Sequence, residues 1–391
     1  APGTYVENIN YSGKNIVIGS YFMTYGMDYF IGVTVIQGDY YHPGPLVTFD
    51  NGETGTAELN GFTITNSFIY DVGGGIYCEN SDPTLKYLIV KNNFEGGIHL
   101  FNSNSRLENL TVTDNSKNDL YHGGAGIFAQ NSSITIQNSL IANNWSGHGG
   151  WAVAPGGIDA TSSEINLDGV TMYGNASGSL ILKEGSSGTI HNSIIWNYPD
   201  NDNEFEIEII GETGYGTASE LTISYSDILG GFDGINAQGV LHWLDGNIDN
   251  DPLFCFSDST DYGLAENSPC VGTGENGVDM GAFGVGCEAI LSIHQDIIPI
   301  QSALYQNYPN PFNPVTTIQY ELPRDTFVNI RVYDLKGRLV TTLINQEQTA
   351  GYKAIMWAGV DDKGMAISAG VYLYEIQAGD FRQVKKMVLL K

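Results

Sequence analysis

The sequence predicts an all-β chain in which a parallel β-helix is followed by a small immunoglobulin-like β-sandwich. Apolar residues alternate with a period of two, and short apolar segments are separated by Gly, Asn and Ser, which favours strands joined by tight turns. Charged residues make up only 15% of the 391 residues, while 49 residues are Gly. Straight-chain helix formers are therefore scarce, and long helices are not expected.

The charge is distributed unevenly and divides the chain. The net charge is −28; residues 1–304 contain six basic and 36 acidic residues, and residues 305–391 contain ten basic and eight acidic residues. We predict a β-helix over 1–287, a linker over 288–304 and a sandwich over 305–391. The acidic part would repel nucleic acid and anionic membranes, so neither is an expected partner.

A repeat over residues 57–198 carries the β-helix prediction. An apolar residue is followed three positions later by an apolar or small residue, two positions later by an apolar residue, and then by Asn; successive Asn residues are 22 to 31 positions apart. Buried amides require hydrogen-bond partners, so we expect these side chains to bond from coil to coil. The predicted ladder consists of Asn66, Asn93, Asn115, Asn144, Asn175 and Asn197.

A second repeated element, Gly-Gly-Ile, lies between these segments, so each unit contains two or three short strands. A single unit of this kind cannot bury its inner face. Stacking one coil per 22 to 31 residues closes the core and pairs each strand with the coils on both sides.

The longest repeats carry aromatic residues in their extra segments. Insertions in a solenoid lie on its outside, where aromatic rings can hold the apolar faces of sugars. The candidate glycan-binding residues are Tyr121, His122, Trp145, His148 and Trp151; the alternative is that these side chains pack over the coil.

Several segments carry a family resemblance. Residues 1–9, Gly-Phe-Thr-Ile-Thr-Asn at 61–66, Gly-Gly-Gly-Ile-Tyr-Cys at 73–78 and residues 246–254 are similar to secreted right-handed parallel β-helix repeat proteins of the pectin-lyase-like class. The resemblance covers about residues 1–287 and implies the fold. It does not imply an activity, because this fold hosts lyases, hydrolases, adhesins and structural fibres.

The same resemblance leads to an expectation about the first coil. In such proteins an opening strand and a cap precede the segment at which this chain begins, so the first coil is expected to be uncapped. The free edges of its strands could pair with strands of another chain. A second copy of this protein is therefore a candidate partner. No charged and apolar leader precedes Ala1, and we expect either that an export signal has been removed or that residues precede Ala1.

Catalytic chemistry has few candidates. Polysaccharide lyases of this fold need a basic residue as proton acceptor, and Lys91 and Arg106 are the candidates because they flank neighbouring segments. No acidic cluster accompanies them, so the sequence favours a protein that is not an enzyme. If it is one, a polysaccharide lyase is expected.

Alternating oxygen ligands mark a candidate calcium site. Asp245, Asn247, Asp249 and Asp251 follow the spacing of a calcium loop, but Asn250 stands where such a loop has Gly. The alternative is a turn before the last strand. No cofactor is otherwise expected, although Ca²⁺ is a candidate ligand.

The cysteines indicate an oxidising compartment. Cys255, Cys270 and Cys287 lie close in sequence, and we expect one disulfide within this group with one cysteine left over; Cys78 is expected to be a buried thiol.

The last 87 residues resemble a second family. Tyr-Pro-Asn-Pro-Phe-Asn-Pro at 308–314, Val-Tyr-Asp-Leu-Lys-Gly-Arg at 332–338, residues 368–372 and the end 385–391 are similar to the type A C-terminal sorting domain of proteins exported by the type IX secretion system of Bacteroidota-like bacteria. The resemblance implies contact with the type IX machinery and an extracellular or outer-surface location. It also implies removal of this domain after export, which its presence in the chain puts in question.

The sequence as a whole predicts a secreted or cell-surface structural or adhesive protein that self-assembles into a fibre or matrix. The alternatives are a polysaccharide-active enzyme, either lyase or hydrolase, and a glycan-binding protein without catalysis. An extracellular polysaccharide is therefore a candidate partner. No apolar run approaches 18 residues, so no membrane span is predicted.

Overall fold

The repeated apolar segments form short strands, nearly all paired in parallel up to residue 290 and in antiparallel beyond it. The computed structural model describes residues 1–390 except 40, 42, 69–72, 118–122, 147–154, 198–204, 213–215, 256–260, 291–301 and 364. The chain divides into two units, Ala1–Ile290 and Leu291–Lys391.

The first unit is built almost entirely of strands. Two short helices, α1 (Phe22–Tyr25) and α2 (Tyr29–Val33), interrupt them, and 3₁₀ turns lie at Gly231–Gly234 and Glu275–Gly277. The strands are β1 (Gly3–Val6), β2 (Ile9–Asn10), β3 (Val17–Gly19), β4 (Thr34–Gln37), β5 (Val47–Phe49), β6 (Glu58–Asn60), β7 (Thr63–Thr65), β8 (Ile76–Glu79), β9 (Thr84–Lys86), β10 (Ile89–Lys91), β11 (Ile98–Phe101), β12 (Arg106–Glu108), β13 (Thr111–Thr113), β14 (Ser116–Lys117), β15 (Ile127–Gln130), β16 (Ser133–Ala142), β17 (Trp145–Ser146), β18 (Ile158–Thr161), β19 (Glu164–Tyr173), β20 (Leu180–Lys183), β21 (Ser187–His191), β22 (Ile194–Ile195), β23 (Ile207–Ile209), β24 (Glu220–Ser224), β25 (Asp227–Ile228), β26 (Ile235–Ala237), β27 (Val240–Trp243), β28 (Leu264–Ala265) and β29 (Val285–Cys287).

Most of these strands belong to three parallel sheets that the chain visits in turn. The first sheet runs β1-β4-β7-β10-β13-β16-β19-β22-β25, the second β2-β5-β8-β11-β15-β18-β20-β23-β26, and the third β3-β6-β9-β12-β16-β19-β21-β24-β27. The ten-residue strands β16 and β19 belong to both the first and the third sheet and turn the corner between them. Each strand therefore pairs with its counterparts one coil before and one coil after, which is the pairing that a parallel β-helix requires.

The interior of the coil is a stack of aliphatic side chains. Val90 pairs with Val112, Val112 with Ile141 and Ile141 with Met172, and all four side chains are fully buried. The partners are 22, 29 and 31 residues apart, yet their register is unbroken. Differences in coil length are therefore accommodated away from the paired strands.

An amide ladder runs beside this apolar stack. The Nδ2 atoms of Asn93, Asn115 and Asn144 each donate to the Oδ1 of the Asn in the next coil at 3.0 Å, and the ladder continues to Asn175. The backbone N–H of each donates to the same oxygen at 3.1–3.2 Å. Asn197 closes the row, because its Oδ1 accepts from the backbone N–H of Asn175 at 2.9 Å. These side chains are buried, so the ladder satisfies polar groups that water cannot reach.

Asn66 does not belong to this ladder, contrary to the sequence prediction. Its side chain is exposed, its φ is +58°, and the ladder position in its coil is occupied by Ser67, whose N–H donates to Oδ1 of Asn93 at 3.1 Å. Asn66 belongs instead to a row of left-handed turn residues that also includes Asn92 and Asn143. Asn tolerates this backbone conformation better than most residues, so two different rows of Asn run through the repeat.

Serine hydroxyls perform the same role at another corner of the coil. The backbone N–H of Ser103 donates to Oγ of Ser132, that of Ser132 to Oγ of Ser163, and that of Ser163 to Oγ of Ser186, all at 3.0–3.1 Å. All four serines are buried. The coils are thus joined by side chains at more than one corner.

The end of the first unit is cross-linked. Cys255 and Cys287 form a disulfide, and β28 pairs with β29 in the same segment. Cys270 and Cys78 are free and buried. A separate apolar cluster, which includes Leu140, Ile194 and Cys270, joins this segment to the outside of the coil.

The second unit consists of antiparallel sheets that share one core. Its strands are β30 (Ala303–Leu304), β31 (Thr316–Leu322), β32 (Thr326–Asp334), β33 (Leu339–Gln348), β34 (Gly351–Trp357), β35 (Gly370–Ala378) and β36 (Phe381–Leu389). One sheet is ordered β30-β31-β34 and the other β33-β32-β35-β36, and buried residues of both belong to a single cluster. Most of the predicted linker 288–304 lies outside the described residues, but Ala303 and Leu304 are a strand and not linker.

The proline-rich motif at residues 308–314 attaches to the last strand of this unit. The Phe312 ring is buried in the core, and its N–H donates to the carbonyl of Val388 at 2.9 Å. Oδ1 of Asn310 accepts from the N–H of Val388 at 2.9 Å. Before the motif, the N–H of Asn307 donates to the Tyr374 hydroxyl at 2.8 Å. The motif is therefore a structural connection between the start and the end of the unit.

Candidate functional site

The outward row of the second sheet contains polar groups that are buried although they lie on the outside of the coil. Side chains alternate across a strand, so Tyr77, His99, Phe128 and Asp159 point away from the apolar interior. They occupy paired positions in four successive coils. His99 and Asp159 are nevertheless buried.

His99 is an uncharged histidine. Burial, and to a smaller extent the nearby Lys117 ammonium, lowers the pKa of His99 to about 3. Its ring contacts the ring of Phe128 edge-on at a centroid distance of 5.8 Å. Its Nε2 has no hydrogen-bond partner among the described residues. Because the imidazole stays neutral across the physiological pH range, it does not supply a proton there.

One ion pair includes Asp159 of this row, and a second lies close to His99. Lys183 Nζ lies 2.8 Å from Oδ2 of Asp159, which is fully buried, and Lys117 Nζ lies 3.9 Å from Oε2 of Glu95, with both side chains almost fully buried. Burial, which outweighs the influence of Lys183, raises the pKa of Glu208 in the same sheet. Within each pair the two opposite charges offset each other, which suits a structural role better than proton transfer.

The two candidate catalytic bases lie in different sheets. Lys91 ends β10 in the first sheet, and Arg106 begins β12 in the third. Arg106 is engaged with Glu108 and with Oε1 of Gln137 at 3.4 Å. The structure therefore does not bring Lys91 and Arg106 together in one site.

The candidate calcium loop uses its oxygens to bind backbone. Oδ1 of Asn247 accepts from the N–H of Ser226 at 3.1 Å, Oδ1 of Asp249 from that of Gly230 at 3.0 Å, and Oδ1 of Asp251 from that of Leu253 at 2.9 Å. These bonds fit the alternative interpretation of the segment as a turn. Among the described residues no group of three or more His, Cys, Asp and Glu could hold a metal ion, and Asp245 belongs to no such group.

Only one of the predicted glycan-binding residues can be placed. Trp145 is half-buried in β17, which pairs with β14. The others, Tyr121, His122, His148 and Trp151, lie outside the described residues. The predicted aromatic patch therefore stays a prediction.

A buried carboxyl and thiol form a pair that the sequence did not reveal. Cys270 Sγ donates to Oδ2 of Asp227 at 3.0 Å, and Oδ1 of Asp227 accepts from the N–H of Asn250 at 3.1 Å. Burial, with smaller contributions from Asp249 and Asp251, raises the pKa of Asp227 to about 7. Burial also raises the pKa of the Cys270 thiol, which therefore stays protonated.

An open polar groove of about 440 Å³ crosses several coils. Its lining is made of amide, hydroxyl and carboxylate groups and includes Asn104, Asn131, Ser162, Glu164 and Ser187. Such groups can exchange hydrogen bonds with the hydroxyls of an extended neutral polymer. Sequence reasoning missed this lining because its residues are ordinary turn residues until the coils stack.

An exposed aromatic segment was also missed. Residues 21–30 contain five aromatic residues, a local density that would have identified the segment without a structure. Tyr21, Tyr25 and Tyr29 are all exposed. The segment lies between β3 and β4, before the start of the repeat on which the sequence prediction rested.

The second unit matches a known family. Residues 306–390 match the family model described as "Secretion system C-terminal sorting domain". The chain carries a sorting domain. Domains of this type belong to the type IX secretion system and mark proteins exported to the cell surface or the extracellular space, so this protein is exported there.

Two solved structures resemble part of the chain. Dimeric latent PorU from Porphyromonas gingivalis matches with 23% identity and a TM-score of 0.20, over 23% of this chain and 9% of that one. PorZ, described as an essential surface component of the type IX secretion system of the same organism, matches with 19% identity and a TM-score of 0.18, over 23% of this chain and 12% of that one. No curated protein matches the chain.

None of the helices in the described part of the chain has the length and apolar character needed to cross a bilayer.

Proposed function

We propose that this protein is an adhesive or structural right-handed β-helix that the type IX secretion machinery delivers to the outside of the cell. In this proposal the first unit acts by binding and not by catalysis. Its partner is an extracellular polysaccharide, and its coils provide a long rigid surface of repeated polar groups.

One observation carries the proposal: several of the described ionisable groups are already committed to structural contacts. Asp159 is paired with Lys183, Arg106 with Glu108, and Asp249 with a backbone amide. A catalytic acid or base needs a carboxyl or amine that is free to exchange protons with the substrate. The excess of acidic residues over residues 1–304 also opposes binding of the anionic substrates on which lyases act.

Self-assembly is left out of this proposal. Two copies that each carry a net charge of −28 repel one another, and this repulsion must be overcome before strand edges can pair. Binding of an uncharged polymer meets no such opposition.

The test is a comparison of adhesion with turnover on the full chain. Purified protein is added to immobilised neutral and anionic polysaccharides, and retention is measured beside reducing ends and unsaturated products, with and without Ca²⁺. We expect retention without products. Products that disappear in Lys91→Ala or Arg106→Ala would establish a lyase instead.

A further inference from the structure

The segment that joins β3 to β4 presents a cluster of exposed tyrosine rings. The exposed fractions are 45% for Tyr21, 60% for Tyr25 and 68% for Tyr29. Large aromatic side chains are seldom left this exposed together unless they contact a partner. We name Tyr21, Tyr25 and Tyr29 the tyrosine platform.

The half-buried ring of Phe30 holds the platform together. Its centroid lies 5.8 Å from that of Tyr21, 5.4 Å from that of Tyr25 and 5.6 Å from that of Tyr29. Tyr21 and Tyr25 also contact one another edge-on at 5.9 Å. Because each ring touches a neighbour, packing restricts its orientation, and this lowers the conformational entropy lost when a ligand binds.

The platform is anchored on the rigid coil. The Phe22 ring packs against Tyr87 at a centroid distance of 4.6 Å, and the Thr63 hydroxyl donates to the carbonyl of Ile31 at 2.9 Å. Gly61 makes room for the segment, since a Cβ there would lie 2.5 Å from Oγ of Ser20. The segment is therefore a built surface and not a loose loop.

The chemistry of the platform favours a sugar polymer without charge. Asp28 is the one charged residue between positions 20 and 33, so the platform offers no cation for a uronate or a sulfate. No described residue hydrogen-bonds the hydroxyls of the three platform tyrosines, which leaves them available to a ligand. Sugar rings present apolar C–H faces together with hydroxyls at their edges, and tyrosine presents an aromatic face together with a hydroxyl at its tip.

The net charge of the chain favours a neutral polysaccharide over two other ligands of the platform. An anionic polysaccharide and a second copy of this chain would both be repelled by a protein of net charge −28. A neutral polysaccharide is not repelled at any ionic strength.

We propose that the tyrosine platform binds neutral polysaccharide through the aromatic rings and hydroxyls of Tyr21, Tyr25 and Tyr29. This inference rests on the proposed adhesive function and names the surface and the class of polymer through which it acts. The polar groove described above is a separate surface and is not needed for it.

The experiment is affinity electrophoresis of the full chain in gels that contain a soluble neutral glucan, with polygalacturonate as the anionic probe. The variant is Tyr21→Ala/Tyr25→Ala/Tyr29→Ala. The matched control is Tyr308→Ala/Phe327→Ala/Leu335→Ala, which removes three exposed apolar side chains from the second unit. Circular dichroism and sedimentation velocity follow the fold and the association state of every variant.

We expect the platform variant to bind the neutral glucan at least about tenfold more weakly, while the control binds as the original chain does. The triple Tyr→Phe variant keeps the rings and should retain most of the affinity. Equal binding by the platform variant, retardation by polygalacturonate alone, or dissociation of a dimer in the platform variant would each overturn the inference. If the platform variant still adheres to extracellular polysaccharide, the platform assignment fails but the adhesive function stands; if the original chain does not adhere at all, both fail.

Discussion

Asn144 illustrates how a single buried amide supports this coil. Its Oδ1 accepts from both nitrogens of Asn115, and its Nδ2 donates to Oδ1 of Asn175 and to the carbonyl of Val112 at 2.9 Å. Removing it leaves polar groups in two neighbouring coils without partners, and a buried unsatisfied group is costly.

We therefore predict that Asn144→Ala lowers the free energy of unfolding by about 2–4 kcal/mol, measured by urea denaturation. The control is Asn66→Gly, which changes an exposed Asn with a φ of +58° and should alter stability by less than about 0.5 kcal/mol. Equal effects of the two substitutions would contradict the separation of the ladder from the turn row.

Asp227 provides a prediction about pH. Its pKa is raised from 3.8 to about 7, so the folded state binds this proton more tightly than the unfolded state does. The associated stability is fully present below about pH 4 and is lost as the pH rises through 7. Asp227→Asn keeps the shape of the side chain and cannot ionise, so it should gain stability relative to the original chain as the pH rises.

The measurement is the difference in melting temperature between the original chain and Asp227→Asn at several pH values from 5 to 8. We expect this difference to change in favour of the variant by the equivalent of about 2–4 kcal/mol. A difference that is independent of pH would mean that Asp227 is ionised throughout.

At the residue scale the sequence was informative about hydrogen bonding but not about backbone conformation. Spacing identified Asn93, Asn115 and Asn144 because each follows an apolar stretch. It also admitted Asn66, since Asn serves both the position that needs a positive φ and the neighbouring ladder position, as at Asn92 and Asn93 and at Asn143 and Asn144. Cys270 and Asp227 are 43 residues apart, so no local pattern could have paired them.

At the scale of elements, close approach between coils depends on glycine. A Cβ at Gly157 would lie 2.1 Å from the carbonyl oxygen of Ser179 and 2.8 Å from the terminal methyl of Met172. The Gly-Gly-Ile element that the sequence repeats is therefore a packing requirement and not a flexible joint.

We predict that Gly157→Ala lowers the free energy of unfolding by about 2–3 kcal/mol, because the inserted methyl displaces backbone in the next coil. Gly32→Ala is the control: a Cβ there meets nothing within 4 Å, and in α2 it should be neutral or stabilising by up to about 1 kcal/mol. Thermal and urea unfolding of both variants would measure this, and a harmless Gly157→Ala would mean that the coils can separate locally.

Strand prediction succeeded where pairing is local and regular. The alternation of apolar and polar residues over 316–321 predicts a strand, and the structure has β31 (Thr316–Leu322) there, one residue longer. The two short helices at residues 22–33 were missed because no helical period extends over so few residues, and the hydrogen bond from Thr63 to Ile31 that anchors this segment is tertiary.

At the scale of the whole molecule, charge is the dominant feature. The excess of acidic over basic residues is confined to residues 1–304, where like charges are brought together by folding. Salt screens such repulsion within about 10 Å at 0.1 M.

Raising NaCl from about 0.02 to about 0.5 M shortens the Debye length from about 20 Å to about 4 Å. This change should raise the melting temperature of the first unit by about 2–4 °C. Differential scanning calorimetry measures it. A melting temperature that does not respond to salt would show that the carboxylates are already compensated within the fold.

The unbroken register of Val90, Val112 and Ile141 across coils of unequal length has an evolutionary consequence. A gene encoding such a coil can gain or lose a whole turn by duplication or deletion, and the neighbouring turns meet the same stacked surface as before. Selection can thus change the number of coils without changing the residues of the interior, while the sorting domain at residues 306–390 stays the same.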